Sequence, residues 1–267
     1  MARLVRVDTG AGLFYGVVEE GRIFLAGQRW PWDAPGWWEY VKGGGERPQH
    51  LPYIEVEEAR LLAPVQPGKV VVVGLNYRDH AREVGAALPE VPALCLKPAT
   101  AVIGPGEKIL LPPVSRRVDY EAELAVVIGR HTRQVPVGQV IDHVLGYTCA
   151  NDVTARDLQQ KDGQWTRSKS FDTFCPLGPW VVSTLEPRAL NVTCRVNGEI
   201  RQQGNTRDLV FGVAELVSFI SEVMTLEAGD VILTGTPPGI GPIQAGDVVE
   251  VEVEGVGVLR NPVRSAS

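Results

Sequence analysis

Apolar and polar positions along this chain alternate with period two far more often than they recur every three or four residues, and alternation predicts strands. RLVRV near the start, and YGVVEEGRIFLA turning at Glu20-Gly21, read as strands of a small β-rich N-terminal lobe spanning residues 1–65. WPWDAPGWW, Trp30 to Trp38, is too rich in proline and tryptophan for a regular element, and its rings are expected to pack that lobe onto something larger. Pro64 and Pro67-Gly68 mark a boundary, after which residues 66–267 form the second domain. There VVVVG reads as a buried strand, NYRDHAREVG as a loop or short helix, and VNGE as an Asn-Gly hairpin turn. One amphipathic helix is predicted near Val210 to Met224. LEAGDVILTG and IQAGDVVEVEVEGVGVL share an Ala-Gly-Asp-Val turn entering a strand, which two hairpin entries explain. The fold class this predicts is α+β and β-dominated, because the helices are too few to cover a doubly wound parallel sheet.

Composition narrows the functional classes. The chain has 267 residues, 44% of them hydrophobic and 22% charged, as in ordinary globular proteins. A net charge of −6 and the lack of a basic stripe argue against nucleic acid as a partner. MARLVRVDTG has no apolar signal-like region, and no stretch approaches the length of a membrane span. Four cysteines without CxxC spacing read as buried thiols of a reducing compartment, so a cytoplasmic location is expected.

One strand breaks the ordinary pattern. In VDYEAELAVVIG, Val118 to Gly129, one face is apolar while the other carries Asp119, Glu121 and Glu123 before Ala125 and Val127. Either this half faces water, or the carboxylates hold a divalent cation. GYTCANDVTARDLQ offers a third ligand: Asp152 sits where a β run meets a helix that Thr154 and Asp157 are expected to open as a capping box. In GLNYRDHAREVG a helical His80 and Glu83 share one face, and a carboxylate beside an imidazole fixes its tautomer, as a general base needs. Gly74 and Gly85 flank that segment, so it can also serve as a lid. In RSKSFDTFCPLGPW, Lys169 precedes an expected Pro-Gly-Pro turn; partly desolvated it can meet a carboxylate or a developing enolate, and it is equally open to being solvated. In LTGTPPGIG a strand ends in a turn whose N–H groups, with the Thr236 hydroxyl, can form an anion nest.

Taken together the chain resembles the fumarylacetoacetate hydrolase family over roughly Gly68 to Val263. GLNYRDHA, KPATAVIGPGE, DYEAELAVVIG, GYTCANDVTARDLQ, KSFDTFCPLGPW, VNGEIRQQGNTRDLVF and LEAGDVILTGTPPGIG follow the family pattern in order. The resemblance implies a β-roll catalytic domain. It implies that Glu121, Glu123 and Asp152 hold Mg²⁺ (or Mn²⁺ or Ca²⁺) through oxygen ligands, with Asp119 behind them or facing solvent. His80 and Glu83 match the catalytic pair; Gln159, Lys169, Thr236 and Gly235 match substrate-contacting positions, Lys169 being catalytic as well. It also implies a homodimer acting on small 2-oxo or dicarboxylic acids. A cation-stabilised enolate serves three outcomes: isomerisation of 2-hydroxyhepta-2,4-diene-1,7-dioate in aromatic catabolism, which the motif set favours, hydrolysis of an acylpyruvate, and decarboxylation of a 2-oxo acid such as oxaloacetate. A metal-dependent dicarboxylate-binding protein is the reading from a different class, and it leaves His80 and Glu83 without a purpose.

Overall fold

The computed structural model describes residues 1–266. Among them, 39% lie in strands and 19% in helices, a strand-dominated α+β fold. The largest sheet is led across its middle by Cys175–Val182, Val144–Asn151, Ala122–Ile128, Val231–Leu233, Val70–Gly74 and Ala93–Lys97, in that spatial order. All of these pair antiparallel except Val231–Leu233 with Val70–Gly74. The N-terminal strand Arg3–Asp8 joins the sheet through Arg3↔Val182 and Leu4↔Val181, so the first residues extend the same sheet. A five-stranded sheet, Glu199–Asn205, Asn191–Val196, Val248–Val253, Gly257–Ser265 and Ile109–Leu111, packs on one face of it.

The strand Ala122–Ile128 shows why the acidic stretch does not face water. Leu124, Val126 and Ile128 point into the core shared with the five-stranded sheet, while Ala125 and Val127 point into a second core with Trp32, Trp37 and Val70. Both faces are buried, so the strand reads as nearly continuous apolar sequence beyond its acidic start. Trp32 and Trp37 sit in that second core, as their aromatic stretch predicts, although a five-residue helix, Trp37–Val41, already begins within it.

Several local expectations hold. Asn197 and Gly198 both take positive φ in the predicted hairpin, and the amphipathic helix runs Val213–Val223. Two differ. CPLGPWVV is a strand, Cys175–Val182, with no Pro-Gly-Pro turn; its register against Val144–Asn151 shifts between Tyr147 and Cys149, and such an irregularity tolerates proline within a sheet. The helix after Asp152, Arg156–Asp162, is capped at Ala155 without a side-chain bond, so there is no Thr154 capping box. Thr154 lies instead in a two-residue strand paired with Val118–Tyr120, and its hydroxyl turns inward.

The cysteines are all free thiols; Cys149, Cys175 and Cys194 are buried and Cys95 is half-buried. Burial pushes the three buried thiols up to about 12, leaving almost no thiolate at neutral pH. A thiol-reactive dye near pH ~8 is therefore expected to label at most Cys95 in the native protein and all four cysteines in denaturant. Two or more labelled cysteines before unfolding would contradict this.

Candidate functional site

Three neighbouring segments deliver three carboxylates to one cavity. Glu121 occupies the single-residue gap between strands Val118–Tyr120 and Ala122–Ile128, where the chain passes from a small three-stranded sheet into the large one. Its N–H donates to Asn151 Oδ1 at 2.9 Å and its carbonyl accepts the Asp152 N–H at 2.8 Å, which locks the two segments together. Glu123 follows on the strand, and Asp152 follows directly on Val144–Asn151. Oxygens of Glu121, Glu123 and Asp152 lie within 4.8 Å of one another, and all three side chains are buried.

The protein's own cations compensate two of the three. Lys169 donates to Asp152 Oδ2, to Glu121 Oε2 at 3.1 Å and to Thr154 Oγ1 at 2.8 Å. Lys97, fully buried at the end of its strand, donates to Asp152 Oδ1 at 2.5 Å and to the Val153 carbonyl at 3.1 Å. Arg156 donates to Glu121 Oε1, to Asp119 Oδ2 at 3.0 Å and to Gln159 Oε1 at 2.6 Å. Asp119 also accepts from Arg117, is wholly buried, and so stands behind the cluster aligning Arg156 rather than facing solvent.

Glu123 is the exception. Its one hydrogen bond comes from the Gly235 N–H at 2.5 Å, and no side-chain cation pairs with it among the described residues. Burial, then the neighbouring Asp152 and Glu121, raise its carboxyl well above the usual range. Burial also pushes Glu121 upward, but Lys169 and Arg156 outweigh it and hold that carboxyl well below the usual range. Burial lowers Lys169, but Asp152 and Glu121 overcome it and keep the ammonium protonated above its ordinary range. A buried, all-oxygen set with one uncompensated carboxylate and neither histidine nor cysteine within it fits a hard divalent cation. Glu121, Glu123 and Asp152 are the residues that would hold it.

The imidazole approaches from another element. The helix Arg78–Glu83 follows strand Val70–Gly74, and His80 Nδ1 lies 3.0 Å from Glu83 Oε2. Glu83 Oε1 accepts the Gly239 N–H at 2.9 Å, anchoring the pair to the turn beyond Thr236. A cavity of about 360 Å³ is lined by His80, Glu121, Glu123, Asp152, Lys169 and Thr236, with Arg156 and Gln159 at its side. Glu83 stands behind His80, outside the lining. The expected anion nest is turned inward: the Gly235 N–H serves Glu123, while Thr236 Oγ1 donates to the Ala122 carbonyl at 2.9 Å and accepts from Gln202 Nε2 at 2.7 Å. Sequence reasoning missed Lys97, Arg156, Asn76 and Trp165. The chain has only six lysines, which makes each one in an unusual setting noticeable, but nothing local in KPAT reveals that the Lys97 side chain crosses to Asp152.

A model of the family described as Fumarylacetoacetate (FAA) hydrolase C-terminal matches residues 69–264. The chain belongs to the fumarylacetoacetate hydrolase family. Among its relatives is a mitochondrial oxaloacetate tautomerase of Bos taurus, 46% identical over 226 residues, covering 80% of this chain and 72% of that protein. The crystal structure of a 2-hydroxyhepta-2,4-diene-1,7-dioate isomerase from Mycobacterium marinum is 39% identical with a TM-score of 0.88, covering 100% of both chains. A maleylpyruvate hydrolase from Sphingobium sp. SYK-6, in complex with manganese(II) and pyruvate, is 32% identical with a TM-score of 0.81, covering 99% of this chain and 100% of that one. Fumarylacetoacetate hydrolase family members are thus enzymes of several reaction types on small acids, with isomerases, hydrolases and a tautomerase among this chain's neighbours.

The raised Glu123 carboxyl has a stability consequence of definite sign. A folded-state pKa above the unfolded one means that stability is lost as pH rises from the usual carboxylate range through the raised value. In chelator, Glu123→Gln is expected to melt about 2–4 °C above the parent near pH ~8, and the difference should vanish near pH ~4. Millimolar Mg²⁺ should raise the parent's melting temperature and the variant's much less. Scanning calorimetry with and without metal checks both; a variant that is less stable in chelator and keeps the full metal response contradicts the assignment.

Proposed function

We propose that this protein is a divalent-metal-dependent isomerase of small 2-oxo acids and their 2-hydroxydienoate tautomers, acting through an enolate. The observation carrying this reading is that the His80–Glu83 pair and the cluster of Glu121, Glu123 and Asp152 line or back a single cavity. When bound by those carboxylates, a divalent cation supplies Lewis acidity that favours negative charge on a 2-oxo oxygen. The remaining work falls to the protein's side chains. With Nδ1–H donated to Glu83, His80 presents the lone pair of Nε2 to the cavity, able to take a proton from C3. The C–H electron pair then enters the C2–C3 bond and charge settles on the 2-oxo oxygen; in ketonisation the neutral imidazole takes the enol O–H proton, the oxygen's electrons re-form the C=O bond, and the imidazolium delivers that proton to C3. Lys169 stays protonated and acts as a fixed positive charge, not as a base. Gln159 lines the cavity with its amide nitrogen free to meet a substrate carboxylate, Thr236 shapes the wall beside it through its bonds to Ala122 and Gln202, and Gly235 acts through its hold on Glu123.

The isomerase and the tautomerase among the relatives support this reading, and the hydrolase among them makes C–C cleavage of an acylpyruvate the second reading. Candidate substrates are therefore 2-hydroxyhepta-2,4-diene-1,7-dioate and oxaloacetate. Homodimeric assembly belongs to the same proposal, and light scattering at micromolar concentration is expected to give twice the chain mass.

A panel of enol oxaloacetate, 2-hydroxydienoates and acylpyruvates, assayed with Mg²⁺ and again with chelator, is expected to show metal-dependent proton transfer without C–C cleavage. Release of CO₂ or of a carboxylic acid as the main product would favour a decarboxylase or hydrolase. His80→Ala should abolish turnover while oxalate still binds in the presence of Mg²⁺, because the base acts on carbon and not on the chelate. Glu83→Gln should lose about 10²–10⁴-fold in rate if positioned proton transfer carries the step. Asp152→Ala should lose metal and oxalate together. Single-turnover rates and calorimetry separate these outcomes, and wild-type rates in His80→Ala would remove it as the base.

A further inference from the structure

The cavity is chemically two-sided. One side carries the carboxylates with Lys169, Arg156 and Gln159; the other is formed by Gly74, Leu75, Val84, Ala86 and Trp165. Trp165 lies between the short helices Arg156–Asp162 and Thr166–Lys169, and its carbonyl accepts the Lys169 N–H at 3.1 Å. Its indole is half-buried and belongs to none of the hydrophobic core clusters. It rests instead on Gly74: a Cβ built there would come 2.3 Å from both Trp165 Cη2 and Trp165 Cζ3. Gly74 is not among the residues of positive φ, so its backbone does not require glycine. The indole does.

We propose that Trp165, seated on Gly74, is the specificity-determining residue of the reaction: it closes the apolar end of the cavity and restricts the substrate to 2-oxo acids with a short chain beyond C3. This rests on the isomerase reading for the polar side and adds what the opposite wall selects: of the two candidate substrates it takes oxaloacetate and rejects the seven-carbon dioate. At about 360 Å³ the cavity lies near the lower end of small-molecule sites, which run about 300–1,000 Å³. Lys169 and Arg156 are the lysine and arginine that line it, and Asp152, Glu121 and Asp119 already engage both. A long chain beyond C3 would run into the indole seated on Gly74, with neither cation of the lining free to meet it there. A four-carbon acid keeps both carboxylates near the polar side. A bulky tail is excluded by the indole itself.

The test compares kcat/KM for ketonisation of enol oxaloacetate and enol phenylpyruvate, with Mg²⁺, in the parent, Trp165→Ala and Gly74→Ala. A ratio of two substrates on one sample does not depend on how much of it has folded. The parent should prefer oxaloacetate, and Trp165→Ala should raise the phenylpyruvate-to-oxaloacetate ratio by about tenfold or more. Gly74→Ala, which displaces the indole without deleting it, should change the ratio by about threefold or more. A ratio within about twofold of the parent's in Trp165→Ala overturns the proposal. If the parent turns over neither enol, the isomerase reading fails, and the wall is read from binding alone. Calorimetry with Mg²⁺ should then show Trp165→Ala tightening phenylpyruvate relative to oxalate, and an unchanged relative affinity overturns the wall.

Discussion

Burying Glu121, Glu123 and Asp152 within 4.8 Å of one another is the constraint on which the rest of the structure depends. Carboxylates so close and so far from water repel one another and lose their hydration, and a fold tolerates that only by bringing compensating charge to them. Each cation arrives on a different element: Lys97 at the end of a strand, Lys169 on a one-turn helix, Arg156 at the start of another. Two lysines clamp the oxygens of Asp152, and Arg156 spans Glu121 and Asp119. Such buried pairs do little for net stability, but they leave few alternative positions for the segments that carry them.

The same economy of contacts ties the imidazole to the carboxylates. Asn76 is wholly buried; its amide nitrogen donates to the Phe211 and Thr234 carbonyls, and its Oδ1 accepts the Phe211 N–H. It follows Leu75, whose φ of 56° is a strained left-handed conformation held in place by these bonds. The segment that leads into the His80 helix is thereby stapled to the chain just before Gly235, which in turn donates to Glu123. Gly239, on the same turn, donates to Glu83. One turn therefore touches both the histidine's partner and the carboxylate that lacks a cation.

Much of this was legible locally. The period-two pattern, the Asn197-Gly198 hairpin and the His80–Glu83 spacing each depend on neighbours in sequence, and each is found as read. The failures share a physical cause. Thr154 and Asp157 have the spacing of a capping box, but a lysine fifteen residues away takes the threonine hydroxyl, and Ser115 and Arg116 take the aspartate. The Pro-rich run at Cys175 is a strand because the sheet on both sides holds it there. Lys97 and Arg156 escaped notice because their meaning lies in side chains that reach across the fold, to Asp152 and to Glu121 and Asp119, and no local pattern records that reach.

The distribution of charge also explains why a cation and an anionic substrate belong together here. Arg117 is half exposed and largely screened by water, so the buried charges are the four carboxylates of Asp119, Glu121, Glu123 and Asp152 against Lys97, Lys169 and Arg156. With Glu123 ionised these buried groups carry one excess negative charge, in line with the upward direction in which burial, Asp152 and Glu121 move its carboxyl. A divalent cation held there would reverse the sign, leaving one excess positive charge in a buried cavity. Carboxylate on the substrate offsets that charge. Each of the two ligands then lowers the electrostatic cost of the other, and by linkage that help is mutual. An acid without its metal meets a negative cavity, and a neutral ketone leaves the metal's charge unbalanced; the arrangement selects the pair.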